Sequence, residues 1–206
     1  MGNFAKTGFV CIFLTIALSF SAGETPTVSE IRINVYNDAR VPTQVLTQAI
    51  QEATRIFRKI GIGIAWIDCS SGAGSNQNYE CQQLWAARRL SLRIVPWSSN
   101  FGDTVFGVAF LSPEGDGTYC DVFYDSVEKL HQDWHVNTSR VLGNSIAHEI
   151  GHLLLGTNAH SFIGIMAPNW QAEELRRIEM GTLFFTPEQA RSIHTRLASF
   201  VYWPPR

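Results

Sequence analysis

The spacing of apolar positions changes several times along the chain, and each change marks an element. Ile31, Ile33 and Val35 alternate with polar neighbours, which predicts a strand over 30–36. From Pro42 and Thr43 onward Val45, Ala49, Ile50, Ala53, Ile56, Phe57 and Ile60 recur at helical spacing as far as Gly61. Ile62, Ile64 and Trp66 return to alternation and predict a second strand ending near Cys69. A strand–helix–strand unit of this kind normally makes a parallel pair. Leu90, Leu92 and Ile94, with Pro96-Trp97, predict a third strand. Two more, over 105–111 and 119–124, flank the turn-rich run Ser112-Pro113-Glu114-Gly115-Asp116-Gly117 and predict a hairpin. A helix over 139–155 follows, capped at Thr138 or Ser139 and stopped by Gly156. The stretch 157–185 is expected to be a loop. Thr186-Pro187-Glu188-Gln189 then has the residues of a capping box with proline at the first helical position, and opens a last helix reaching about Phe200.

Composition narrows the class. The 206 residues are 45% hydrophobic, enough for one domain with a sizeable core. A formal net charge of -2 with no basic stripe argues against a nucleic-acid partner. Lys6, the apolar run over 8–20 and the small residues Ser21-Ala22-Gly23 have the layout of a cleaved signal peptide over 1–23. That run is too short for the ~20 residues of a bilayer span. No internal repeat or linker divides the rest, so 24–206 is expected to be a single domain without a membrane span. In the oxidising compartment this implies, Cys69 and Cys81 are the expected disulfide, because they flank a Gly/Ser/Asn-rich loop whose closure a bridge would stabilise. Cys120, in a strand-like stretch, is expected to be a buried free thiol.

Candidate chemistry concentrates in His148-Glu149-Ile150-Gly151-His152. At about 100° per residue the two histidines share a helix face, one turn apart. Gly143, Ile146, Ala147, Ile150, Leu153 and Leu154 fall on the opposite arc, expected to face the core. Histidines at i and i+4 can hold one zinc ion through neutral ring nitrogens. Glu149 stands about 100° around from His148, where a base acting on zinc-activated water belongs. Gly156 lets the chain turn back, and His160 four residues later is the candidate third ligand. Three protein ligands and one open position make the catalytic type of zinc site. Glu173 or Glu174 is the alternative third ligand. His131, His135 and His194 are expected to be solvent-exposed. Asp103, Glu114 and Asp116 are candidate calcium ligands, although a polar hairpin turn accounts for the last two as well.

His148-Glu149-x-x-His152, Gly156, His160 and then Gly164-Ile165-Met166-Ala167-Pro168 resemble the metzincin clan of zinc peptidases. The tracts Ala159-His160-Ser161 and Ile165-Met166-x-Pro168 are most similar to its matrixin branch. The spacing is longer than the clan's common His-Glu-x-x-His-x-x-Gly-x-x-His: Leu155 and Asn158 stand where that pattern has glycine and histidine. The resemblance covers about 28–200. It implies an α+β fold with a mixed, twisted five-stranded sheet, a backing helix, a zinc-binding active-site helix and a C-terminal helix. It implies a tight turn under the metal at Met166. It also implies an extended substrate paired to the backbone of an edge strand within 106–111, at Gly107, Val108, Ala109 and Phe110, with Asn169 and Trp170 walling the main side-chain pocket. The activity implied is that of a secreted or periplasmic zinc endopeptidase, a monomer acting on peptides or proteins. Two other classes stay open: a non-catalytic zinc-binding protein on a peptidase fold, and a zinc amidase acting on non-protein amides.

Overall fold

The computed structural model describes residues 1–2, 29–70, 79–82, 89–97 and 105–199. Five strands are β1 (Ser29–Asn37), β2 (Ile62–Asp68), β3 (Arg89–Val95), β4 (Gly107–Phe110) and β5 (Tyr119–Phe123). Six helices are α1 (Thr43–Lys59), α2 (Tyr79–Gln82), α3 (Tyr124–Trp134), α4 (Thr138–Leu155), α5 (Ala172–Glu179) and α6 (Pro187–Ser199). The sheet order is β2-β1-β3-β5-β4. β1, β2, β3 and β5 run parallel, and β4 pairs antiparallel to β5 at the edge. This is the expected α+β arrangement, a mixed five-stranded sheet whose first two strands are joined through α1.

Strand alternation divides the sheet into two unlike faces. Ile31, Ile33, Val35, Leu90, Leu92, Ile94, Cys120 and Val122 are buried on the face that carries α1 and α4. The other face holds a polar row. Arg89 donates to Asn34 at 3.0 Å, and Arg93 makes a two-pronged contact with Asp121 at 3.1 and 3.0 Å.

α4 is the centre of the molecule. Every residue from Val141 to Leu154 is buried. The expected apolar arc faces the core, and the opposite arc, which carries His148 and His152, is also enclosed except where it lines a cleft. α1 packs along it, β4 and β5 cover another side, and α3, α5 and α6 close the remainder. Its cap also moves by one residue: the Asn137 side chain accepts from Arg140 N at 3.0 Å, and Thr138 is already helical. Gly156 ends it in the left-handed region at φ 69°, which suits glycine.

Three helices go beyond the expected elements. α2 is one turn beside the disulfide. α3 leaves β5 directly, with no capping side chain and only Tyr124 and Val127 buried. α5 interrupts the expected loop over 157–185; its capping box is Gln171 with Glu174, not the usual Ser or Thr. The Thr186–Gln189 capping box of α6 forms as expected, with reciprocal bonds of 2.9 and 3.3 Å. Cys69 and Cys81 are bridged, and Cys120 is free and buried. Asp103 and most of 1–23 lie outside the described residues. Among the described residues no helix is long and apolar enough to cross a membrane.

Because the apolar arc of α4 is packed against the core, truncation there should leave a cavity. Ile146, 0% exposed, is a direct probe. Ile146→Ala is expected to lower unfolding free energy by about 2–5 kcal/mol in urea titration, with an unchanged slope.

Candidate metal centre

α4 brings His148 and His152 together one turn apart, and the chain reversal at Gly156 returns His160 to the same point. Gly156 N and Thr157 N both donate to the His152 carbonyl, at 2.8 and 3.3 Å, which turns the chain sharply. The three rings meet with centroid separations of 4.7 Å (His148–His152), 5.3 Å (His148–His160) and 4.9 Å (His152–His160). One ligand nitrogen from each lies within 4.8 Å of the others. His148 and His152 are buried, and His160 is exposed on its loop.

Hydrogen bonding fixes which nitrogen is available. The Nδ1 of His148 lies 2.7 Å from the Ile165 carbonyl, and that of His152 lies 2.8 Å from the Thr157 carbonyl. A carbonyl only accepts, so both Nδ1 atoms carry hydrogen and both Nε2 atoms present lone pairs. Those two Nε2 atoms face each other at 3.0 Å. Two lone pairs at that distance repel unless a positive charge lies beside both. A proton is a poor candidate: burial first, and then His152, push the His148 imidazole down to about 3. A metal ion fits. Two nitrogens each about 2.0–2.1 Å from one tetrahedral ion stand roughly 3.3 Å apart, and ligating histidines characteristically give their other N–H to a carbonyl. Three neutral imidazoles are a donor set suited to zinc.

Glu149 lies beside the histidines, 4% exposed, and burial raises its carboxyl to about 8. Its side chain runs under β4 because Gly107 has none: a β-carbon on Gly107 would lie 2.6 Å from Glu149 Cγ and 2.6 Å from the Asp121 carbonyl oxygen. Met166 is fully buried, and its sulfur lies 2.7 Å from where a β-carbon on Gly151 would stand. A glycine between the two histidines thus lets the segment after His160 close up beneath the helix. That segment is tied back by Ser161 N to Met166 O (2.9 Å), Ala167 N to Gly164 O (3.1 Å) and Ile165 N to Phe184 O (3.0 Å).

An open cleft of about 320 Å³ lies between β4, α4 and residues 167–170. Gly107, Val108 and Ala109 line it, together with His148, Glu149, His152 and His160. Phe110 is exposed at the end of the strand and stacks instead on Tyr119, at 5.1 Å. Asn169 and Trp170 do line the cleft. Trp170 is 8% exposed, stacks on Phe106 at 5.4 Å and sets its ring at a steep angle to His148.

Glu173 and Glu174 are engaged elsewhere. Glu173 pairs with Arg176 and Arg177, and Glu174 accepts from Gln171 N at 3.1 Å. His131, His135 and His194 are exposed, as expected. Asp116 pairs with Arg196. Ser145 and Asn158 are cleft residues that the sequence reading did not assign to it. Ser145 was legible in principle, since it precedes His148 by three residues on the same helix face. The Thr157 and Ile165 carbonyls that orient the imidazoles have no side-chain signal at all.

No family model matches the sequence, and no curated protein matches it. Solved structures similar in fold include the following three. A zinc-dependent peptidase from Methanocorpusculum labreanum aligns over 78% of this chain and 99% of its own, at 16% identity and TM-score 0.53. Metalloproteinase-II from Bacteroides fragilis aligns over 84% of this chain at 13% identity and TM-score 0.53; the match spans 55% of that longer chain. Archaemetzincin from Methanopyrus kandleri aligns over 84% of this chain and 98% of its own, at 13% identity and TM-score 0.50. At these identities the likeness is one of fold.

The buried carboxyl has a consequence for stability. Between 4.5 and about 8 the folded protein keeps a proton on Glu149 that the unfolded chain has released, so stability falls as pH rises. His148 acts oppositely between about 3 and 6.5, where the unfolded chain holds the extra proton. Above pH 6.5 the Glu149 effect is left without that opposition. Urea unfolding of metal-free protein is expected to show stability declining from pH 6.5 to 8 in the wild type, and declining less in Glu149→Gln. Equal declines would show that the carboxyl ionises freely in the fold.

Proposed function

We propose that this chain is a zinc-dependent endopeptidase of the metzincin type, in which His148, His152 and His160 hold the ion and Glu149 is the general base. The observation that carries the reading is the pair of Nε2 lone pairs turned on each other at 3.0 Å beside a buried carboxyl, at the floor of a cleft bordered by an edge strand. The three fold neighbours support it, being a zinc-dependent peptidase, a metalloproteinase and an archaemetzincin. When bound, zinc supplies Lewis acidity to a water and to a carbonyl oxygen brought to the open side of the imidazoles.

The remaining chemistry belongs to the chain. Glu149 takes the proton from the attacking water and returns it to the leaving amine. Its place beside the ligands, where the charge of a bound ion would favour the carboxylate, suits a group that must both accept and give. The backbone of 106–111 pairs with an extended peptide, as an open edge strand can. Phe106, Ala167, Pro168 and Trp170 offer an apolar wall to one substrate side chain. Met166, packed against Gly151, takes the part of the turn beneath the metal, with the lengthened His152–His160 spacing as this chain's own variation on the matrixin-like pattern. The Cys69–Cys81 bridge supports an oxidising destination. We accordingly read 1–23 as a signal peptide, 24–206 as one catalytic domain, and the mature monomer as secreted or periplasmic.

Glu149 favours catalysis over a purely structural metal site, because a structural site has no use for a costly buried carboxyl beside the ligands. The expected result with a mixed peptide library is cleavage by the wild type, loss with a zinc chelator, and recovery when zinc is restored. Glu149→Gln should cleave on the order of 10²–10⁴-fold more slowly while keeping its zinc. A zinc-loaded wild type that cleaves no peptide would sink the peptidase reading. Hydrolysis of non-protein amides by that same protein would favour an amidase.

A further inference from the structure

We propose that α6 is a brace for the third metal ligand, with Arg196 and Gln189 as positioning residues at the two ends of the loop that carries His160. The inference rests on reading His148, His152 and His160 as zinc ligands. His148 and His152 are held by a buried helix. His160 is not: residues 157–160 are exposed, with Ala159 N to Thr157 Oγ1 at 3.1 Å inside the loop and His152 Nδ1 to the Thr157 carbonyl at its start, so contacts at its far end and beneath it add to its order.

Both ends of that loop are gripped by α6. At its start Gly156 has φ 69°, and the Arg196 guanidinium fills the space a side chain there would need, 2.4 Å from an ideal β-carbon position. Arg196 Nη2 donates to the Gly115 carbonyl at 2.5 Å and to Asp116 Oδ1 at 3.1 Å. Gly115 in turn lies against the Gly156 carbonyl, 2.2 Å from where its own β-carbon would stand. Arg196 thus pins the β4–β5 turn onto the end of the metal helix. At the far end Gln189 Nε2 donates to Ser161 Oγ at 3.0 Å, and Ser161 N donates to Met166 O at 2.9 Å. Gln189 and Arg196 are two turns apart on one helix, about 10 Å along its axis, and His160 lies in the chain between their anchor points. Buried Ile193 and Leu197 fix α6 itself in the core. A longer path from His152 to His160 needs such support, because each added residue is another backbone to order.

The test is metal affinity, read in protein stripped of metal and titrated with Zn²⁺ and Co²⁺ against a chromophoric chelator. Arg196→Met and Ser161→Ala are each expected to weaken binding about 10-fold and to perturb the visible Co²⁺ bands. In a His160→Ala background each should change affinity by less than about twofold, since the residue they act through is gone. Arg196→Lys should recover part of the loss. Equal losses in both backgrounds, or no loss in the wild-type background, would overturn the brace. Ser161 Oγ also donates to the Ile163 carbonyl at 2.7 Å, so if Arg196→Met melts before metal is added, Gln189→Glu, which keeps an oxygen for Thr186 N and loses only the donor to Ser161, decides alone. A well-folded wild type that binds neither ion would overturn the metal reading, and the brace with it.

Discussion

A helix buried on every side that nevertheless carries two imidazoles and a carboxyl in consecutive turns has to satisfy each of them within the protein. In α4 the backbone does most of this. The Thr157 carbonyl lies just past the helix end and the Ile165 carbonyl in the segment beneath it, and each takes one Nδ1–H. This choice turns both remaining nitrogens toward one point. The rest of the centre follows: His160 must come back to that point, and residues 161–167 must fold under the helix so that the Ile165 carbonyl is within reach. Burial that would be a cost for an ordinary histidine keeps these two neutral and able to donate a lone pair.

Close packing is achieved by leaving side chains out. Gly107 clears space for Glu149 under the edge strand, and Gly151 clears space for Met166 and Phe185 under the helix. These omissions work on opposite sides of α4. One sets the depth of the carboxyl below β4, and the other sets the height of the segment that orients His148. The three-histidine cluster is thus suspended between a strand and a turn, each spaced by a missing β-carbon.

Much of this was legible in the sequence, for reasons that also explain the remainder. Alternation in 30–36, 62–68 and 90–95 is strong because those strands bury one face against helices. The i, i+4 histidines read directly as a shared face. α3 and α5 were illegible because their signals are local and weak: α3 starts without a cap or turn residue, and α5 is eight residues with Arg and Glu over most of its surface. The enclosure of α4 beyond its apolar arc is hidden in the sequence because its polar residues mimic a solvent face. Asn144 and Ser145 in fact turn back onto the helix, donating to the carbonyls of Arg140 and Val141. His160 was named from spacing, but its geometry depends on Arg196 and Gln189, 36 and 29 positions further on, which no local pattern connects to it.

The edge strand carries an obligation of a different kind. Among the described residues β4 leaves one row of backbone donors and acceptors unpaired by the sheet, and such a row cannot tell a peptide from a strand of a second copy. Four residues is short for a strand, and the polar turn that follows ends the row early. Brevity of this sort restricts the length of any partner that can lie alongside. A whole strand from a folded neighbour would find few bonds there, while the apolar wall of Phe106 and Trp170 lies beside the row for a chain that can bend to reach it. The same short edge thus limits pairing with a second copy and with any other extended chain alike.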